Sequence, residues 1–250
     1  MEYITSRQNP LAVQIRRLTR DRGARRAAGL YLAEGPKLLE EAVKADAGVD
    51  TVVTARGTQV PCPAEARQVE VPPDLLKSLT DTQSPQGVLF LVRMPDTAPP
   101  ERLEGERWLV LDGLQDPGNV GTIWRTADAL GADGLLLVNA CADPFSPKTV
   151  RATMGACFRL PVYEIQLEQL PGLLERSGLP LYAAALREDT VDIKTAQLGR
   201  CAVVIGSEGR GVCRALLEQS EKTVRIPMRA RCESLNAAAA AAIVLWEMGR

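Results

Sequence analysis

The chain contains no histidine. That removes the most frequent general base, the most frequent metal ligand and every mechanism built on a Ser-His-Asp arrangement. No run approaches the roughly 18 consecutive apolar residues of a membrane span. The N-terminal MEYITSRQNP has neither the basic start nor the apolar centre of a signal peptide, so a cytoplasmic protein without membrane association is expected. The six cysteines include no C-x-x-C pair, and they read as reduced packing residues rather than disulfides or zinc ligands. No metal site is expected. Neither G-x-x-x-x-G-K-[ST] nor a helix-opening G-x-G-x-x-G occurs, which disfavours P-loop hydrolases and the common dinucleotide fold. A nucleotide-like cofactor therefore needs another kind of pocket.

The net charge of −1 gives no overall bias toward nucleic acid. The distribution of charge is less even. Between Arg7 and Arg26 seven arginines face one acid, Asp21, and acid-free basic windows run from Lys148 to Arg159 and from Lys222 to Arg231. Arg16, Arg20, Arg22, Arg26, Lys148 and Arg151 are the candidates for phosphate contact. A basic helix face that is merely solvated would look the same.

The 250 residues, 46% of them hydrophobic, suffice for one large domain or two small ones. Residues 96–106 concentrate proline, acids and small residues between the apolar runs VLFLVRM and WLVLD, and read as a linker joining domains at 1–95 and 107–250. The first part predicts a small mixed α/β unit with a basic amphipathic helix over 11–18, a helix over 35–45 and a strand over 51–54. It holds no nucleophile or phosphate loop and fits a binding module. The second part alternates strand and helix signals from Trp108 to Met248, which argues for an α/β fold with a parallel sheet. Ligand sites then gather in the loops after the strand ends.

Three such loops carry chemistry. In DGLQDPGNVGTIWR (112–125), Pro117 and Gly118 force a turn, Asn119 is a candidate helix cap, and the amides there could receive an anion. An ordinary capped turn explains most of this, but not Arg125, a cation set on the apolar pattern Val120, Ile123, Trp124 and Ala127. In AVVIGSEGRGV (202–212), glycines allow close backbone approach to a flat ligand while Glu208 stands among them. In RIPMRARCESLNAAAAAA (225–242), Ser234 and Asn236 are capping residues before a smooth alanine surface suited to close packing.

Together these segments resemble the three motifs of the SpoU/TrmH branch of the SPOUT superfamily of RNA methyltransferases. The matching residues are Asn119, Gly121, Arg125 and Gly131; Gly206, Glu208, Gly209 and Gly211; and Ile226, Pro227, Met228, Ser234, Leu235 and Asn236. SPKTVRATMGACFRLPV (146–162) is also similar, with Thr153 where serine is expected. ITSRQNP, YLAEGPKLLEEA and SPQGV resemble an L30e-like substrate-binding domain.

The resemblance implies a deep trefoil knot in the C-terminal domain and a homodimer formed through it. It also implies S-adenosylmethionine held by Gly206, Ile226, Met228, Ser234, Leu235 and Asn236, and ribose 2′-O-methylation of RNA, ribosomal by analogy. Arg125 would be central, with Asn119, Glu208, Ser234 and Asn236 as further catalytic candidates. A transfer-RNA methyltransferase, or a non-catalytic RNA-binding or ribosome-assembly protein of the same fold, are the alternatives.

Overall fold

The structure is a computed structural model that describes residues 2–187, 190–229 and 234–250. Arg231 of the third basic window and Cys232 lie outside the described residues. The chain divides into two compact units, Met1–Pro95 with Phe145–Phe158, and Asp96–Pro144 with Arg159–Arg250.

In chain order, the elements up to residue 106 are β1 (Glu2–Tyr3), α1 (Pro10–Arg20), α2 (Arg22–Ala28), β2 (Leu30–Glu34), α3 (Pro36–Lys44), β3 (Val49–Ala55), β4 (Arg67–Val71), α4 (Pro73–Lys77) and β5 (Val88–Arg93). There follow β6 (Arg107–Asp112), α5 (Pro117–Ala129), β7 (Gly134–Val138), α6 (Pro147–Thr153), β8 (Val162–Glu164), α7 (Leu170–Ser177) and β9 (Leu181–Ala184). The chain closes with β10 (Val191–Asp192), β11 (Cys201–Gly206), α8 (Arg214–Gln219), β12 (Lys222–Arg225) and α9 (Ala237–Met248).

The first unit is a mixed five-stranded sheet in the order β1-β4-β3-β5-β2. β5 lies inside the sheet and is buried on both faces, which is why VLFLV is a continuous apolar run rather than an alternating one. Leu11, Ile15 and Leu18 of α1 recur at helical spacing and pack with Leu32, Val53, Leu89 and Leu91. Asn9 caps α1 by accepting the Leu11 amide at 2.9 Å, and Pro10 occupies the first helical position. The segment Phe145–Phe158, expected in the second domain, belongs here. Phe145 meets Tyr31 with ring centroids 4.9 Å apart, and α6 packs on β2. The Thr153 hydroxyl is buried and donates to the Val150 carbonyl at 2.7 Å.

The second unit is a seven-stranded sheet, parallel at every pairing, in the order β10-β12-β9-β11-β6-β7-β8. From β6 the chain moves to its neighbour β7; from β11, the other neighbour of β6, it moves past β9 to β12. The order therefore reverses between β6 and β11, and the crevice beyond their carboxyl ends is where a sheet of this kind takes a ligand. Gly206, Asp112 and Val138 are in register there. Residues 96–106 are packed onto this unit rather than free: Leu103 is buried in its core, the Leu103 amide donates to Ser177 Oγ at 2.9 Å, and the Glu104 carbonyl accepts the Trp108 indole N–H at 2.9 Å. Their proline and acid content describes a surface strap as well as it does a linker.

Among the described residues no helix is long and apolar enough to cross a membrane. Cys62, Cys141, Cys157, Cys201 and Cys213 are reduced cysteines outside any disulfide, and burial pushes Cys141 up to about 11 and Cys201 up to about 12. Gly134 starts β7 against the Trp108 ring, and a Cβ there would stand 2.3 Å from Cζ3. Gly134→Ala is expected to destabilise the protein by about 1–3 kcal/mol through overpacking and to lower its thermal midpoint by several degrees. An unchanged midpoint by circular dichroism would show that the ring yields freely.

Candidate active site

The sheet's carboxyl edge is organised by Asp112, a buried carboxylate at the end of β6. Its Oδ1 accepts the Asn139 side-chain amide at 2.7 Å, and its Oδ2 accepts the Cys213 backbone N–H at 2.6 Å. One side chain thus ties together the turns that follow β6, β7 and β11. Asn139 and Ala140 both take left-handed backbone, at φ 53°, to close the second of these turns.

Asn119 was the expected cap of α5, but the cap is Asp116. Its carboxylate accepts the Gly118 and Asn119 amides, the latter at 3.1 Å. Pro117 at the first helical position, preceded by an acid, favours that earlier start. The amides expected to receive an external anion are thus engaged by the helix's own carboxylate. Asn119, moved to the third helical position, has its side chain free for other partners.

Those partners come from the other two loops. The Asn119 Nδ2 donates to Glu208 Oε1, and its Oδ1 accepts the Asn236 Nδ2 at 3.2 Å. Asn236 is the cap of α9, its Oδ1 accepting the Ala238 amide at 2.9 Å and the Ala239 amide at 3.3 Å. A hydrogen-bonded series therefore runs from the start of α9 through the first turn of α5 to Glu208. The tip carrying Glu208 is closed by the Gly211 amide donating to the Ser207 carbonyl at 2.8 Å. At Gly206 any side chain would strike this loop, a Cβ lying 2.1 Å from the Gly211 carbonyl carbon.

Beside this series a cleft of about 200 Å³ opens beyond β9, β11 and β12. Gly206, Glu208, Ile226, Met228, Ser234 and Leu235 border it, whereas Asn236 acts through Asn119 and the α9 cap. Three large apolar side chains left exposed, Leu186, Met228 and Leu235, converge on this one concavity. Exposed apolar groups gathered in a concave site, with a few polar groups at the rim, suit a flat heterocyclic ligand. The wall formed by Ala184, Ala185 and Leu186 was not anticipated by residue, because an apolar strand end carries no motif; only its position after a strand marks it.

Arg125 does not join the series. α5 buries Val120, Ile123, Trp124 and Ala127 and leaves Arg125 exposed, with no hydrogen-bond or ion-pair partner among the described residues. The basic candidates of the first unit differ among themselves. Arg16 is half-buried and donates to the Arg7 carbonyl, Arg20 is exposed at the end of α1, and Arg22 and Arg26 flank the buried Arg25, whose guanidinium donates to the Leu18 carbonyl at 2.5 Å. Lys148 and Arg151 lie on α6 and so also belong to the first unit. Among the described residues no three histidine, cysteine or acidic side chains gather as a metal-ligand set.

A family model described as the SpoU rRNA Methylase family matches residues 106–246. The chain belongs to that family. Residues 9–89 match the MRM3-like substrate binding domain. The 23S rRNA (guanosine(2553)-2'-O)-methyltransferase RlmP of Bacillus subtilis is 34% identical over 87% of this chain and 88% of that protein. A crystal structure of an AdoMet-bound rRNA methyltransferase from Sinorhizobium meliloti superposes with a TM-score of 0.87 at 32% identity, over 99% of this chain and 97% of the other. The SpoU methyltransferase AviRb from Streptomyces viridochromogenes, in complex with AdoMet, gives 0.88 at 28% identity over 97% of each chain. The α/β fold and parallel sheet of this member are those of SPOUT methyltransferases.

Gly206→Ala is expected to open the Ser207–Gly211 turn at a cost of about 1–3 kcal/mol, visible as faster hydrogen exchange at the Gly211 amide. Protection equal to wild type would mean that the loop accommodates a methyl group without moving.

Proposed function

We propose that this chain transfers a methyl group from S-adenosylmethionine to a ribose 2′-hydroxyl of ribosomal RNA. The observation that carries the proposal is the Asn236–Asn119–Glu208 series beside the apolar cleft at the strand ends, in a member of the SpoU rRNA methylase family. The match to relatives acting on ribosomal RNA extends across both units, including the N-terminal part that resembles a substrate-binding domain. That breadth supports ribosomal over transfer RNA.

The residues present fit the cofactor. Met228, Leu235 and Leu186 offer apolar faces to a purine, and the Gly206–Gly211 loop lets backbone approach closely. When bound, S-adenosylmethionine supplies an electrophilic methyl group on a sulfonium. The chain's own contribution is alignment of the ribose oxygen and stabilisation of the charge it acquires. A guanidinium remains protonated in proteins, so Arg125 is not a base. Its role is to hold a phosphate of the RNA and to face the developing alkoxide. Asn119 and Asn236 fix Glu208, and Ser234 stands at the rim of the cleft to orient the ribose. Arg20 and Lys148, both exposed, serve phosphates farther along the RNA. The same assignment places the trefoil threading in the C-terminal segment, whose α9 packs on α5 and β11.

We also assign the outer side of α9 to a homodimer contact. That helix is alanine-rich, and Trp246 is 62% exposed on it, the kind of aromatic anchor an interface buries. Trp246→Glu is expected to shift the protein toward monomer in analytical ultracentrifugation; a wild-type sedimentation profile would remove α9 from the contact.

Arg125→Ala is expected to reduce methyl transfer to ribosomal RNA by at least about a hundredfold, while calorimetry shows cofactor binding within about twofold of wild type. Arg125→Lys, which keeps the charge but loses the planar fork, is expected to recover little of the activity. Wild-type turnover in Arg125→Ala would end the assignment.

A further inference from the structure

The first unit holds a cavity of about 830 Å³ that the methyl-transfer chemistry does not use. It is bordered by Glu34 and Gly35 at the end of β2, Lys37 on α3, Gln86 ahead of β5, and Arg151 and Met154 from the α6 segment. The Glu34 carboxylate is only half satisfied. Its Oε2 accepts the hydroxyls of Thr80 and Thr82, the latter at 2.8 Å. Its Oε1 is buried without a hydrogen-bond partner, and no other buried side-chain nitrogen or oxygen among the described residues shares that condition. Buried acceptors are almost always paired, so an unpaired one beside a cavity marks a missing donor.

The surroundings narrow the donor's chemistry. The border carries charge of both signs: Glu40 and Glu41 stand on it, the latter paired with Lys44 at 3.2 Å, and Lys37 and Arg151 supply the cations suited to phosphates. Met154 follows α6 in left-handed backbone at φ 50° and is 52% exposed, a polarizable contact for a flat ring. Gly35, at φ +107°, leaves room for Gln86, whose Oε1 would stand 3.0 Å from a Cβ there. Two cations, an exposed thioether and a lone acceptor bordering one cavity match an unstacked nucleobase on its sugar-phosphate backbone.

We infer that this cavity receives an unpaired nucleobase bearing an exocyclic amino group, from the RNA substrate; the inference rests on the proposal that the chain acts on RNA. The amino group donates to Glu34 Oε1, which a turn about the soft terminal carboxylate torsion brings to the cavity at the expense of the Thr80 and Thr82 contacts of Oε2. The ring lies against Met154, and Lys37 and Arg151 meet the flanking phosphates. Uracil is disfavoured because its one edge donor, N3–H, lies between two carbonyl oxygens that repel the carboxylate, whereas cytosine, of the same size, presents an exocyclic amine to it.

The experiment measures fluorescence anisotropy of the full-length protein with labelled ten-nucleotide oligocytidylate and oligouridylate. Oligocytidylate is expected to bind about tenfold more tightly. Glu34→Gln should bring that ratio to about twofold or invert it, and Lys37→Glu should weaken both oligonucleotides by the same factor. A wild-type ratio near one, or an undiminished ratio in Glu34→Gln, would overturn the inference. The wild-type comparison needs no variant, so misfolding of Glu34→Gln leaves it decisive. An enzyme that methylates ribosomal RNA without preferring oligocytidylate overturns the base pocket alone; a protein that neither methylates it nor binds either oligonucleotide overturns the methylation proposal as well.

Discussion

The buried carboxylate of Asp112 is the constraint on which the site depends. A charge at the edge of a low-dielectric core is tolerated only when its oxygens are paired, and here the partners come from turns 27 and 101 residues away along the chain. The penalty for leaving Asp112 unpaired therefore holds the turn after β7 and the start of α8 against the end of β6. Since β6, β7 and β11 are parallel and in register at that edge, fixing these turns also fixes the height at which the Gly206–Gly211 loop leaves the sheet. Glu208 reaches Asn119 because its loop starts from a fixed point.

The choice of asparagine at two positions follows from the same accounting. A side-chain amide both donates and accepts, so it can pass a hydrogen-bonded series onward. Asn236 spends its oxygen on the two free amides of α9 and turns its NH₂ to Asn119. Asn119 accepts from Asn236 and donates to Glu208. The direction is set at one end by helix amides that can only donate and at the other by a carboxylate. Aspartate at 119 would set two carboxylates against each other, and serine would be too short to span both neighbours. On the proposed assignment a sulfonium cofactor and a ribose hydroxyl would both benefit from a carboxylate held in one orientation, because a site organised before binding needs no reorganisation during reaction.

Much of this was legible in the sequence, and the exceptions share a cause. The strand and helix alternation of the second unit is visible because parallel strands buried on both faces are short apolar runs closed by glycine or polar turns. The three loops stand out for carrying glycines, acids and caps where a bare connection needs none. The α5 cap was misplaced by three residues since Asp116 and Asn119 are both good caps, and the proline between them decides it only once its position in the first turn is weighed. The seven-residue α6 is too short for its periodicity to say which core it joins; that is settled by long-range packing of Phe145 on Tyr31. Residues 96–106 look solvated in composition, yet one leucine at 103 is enough to anchor them. The unpaired oxygen of Glu34 has no local signature at all, because pairing is a property of the folded surroundings.

On the proposed assignment, Arg125 is a catalytic cation that need not touch the site before substrate arrives. Burying an unpaired guanidinium is prohibitive, so α5 turns its apolar side inward and leaves Arg125 in water, where a charge pair at about 4 Å gains only ~1 kcal/mol. The same pair is worth several times more once a bound polyanion displaces the water around it, at an effective dielectric constant of about 20. The polar series from Asn236 to Glu208 is complete in the protein alone, while on the proposed assignment the cationic half is completed by the RNA. Binding of the correct substrate then does two things at once: it supplies the phosphate that orients Arg125, and it creates the dry surroundings in which that orientation stabilises charge. A small alcohol offering a hydroxyl without a neighbouring phosphate would receive neither benefit, so on that assignment selectivity for a polynucleotide would arise from where the cation sits rather than from the fit of the cleft.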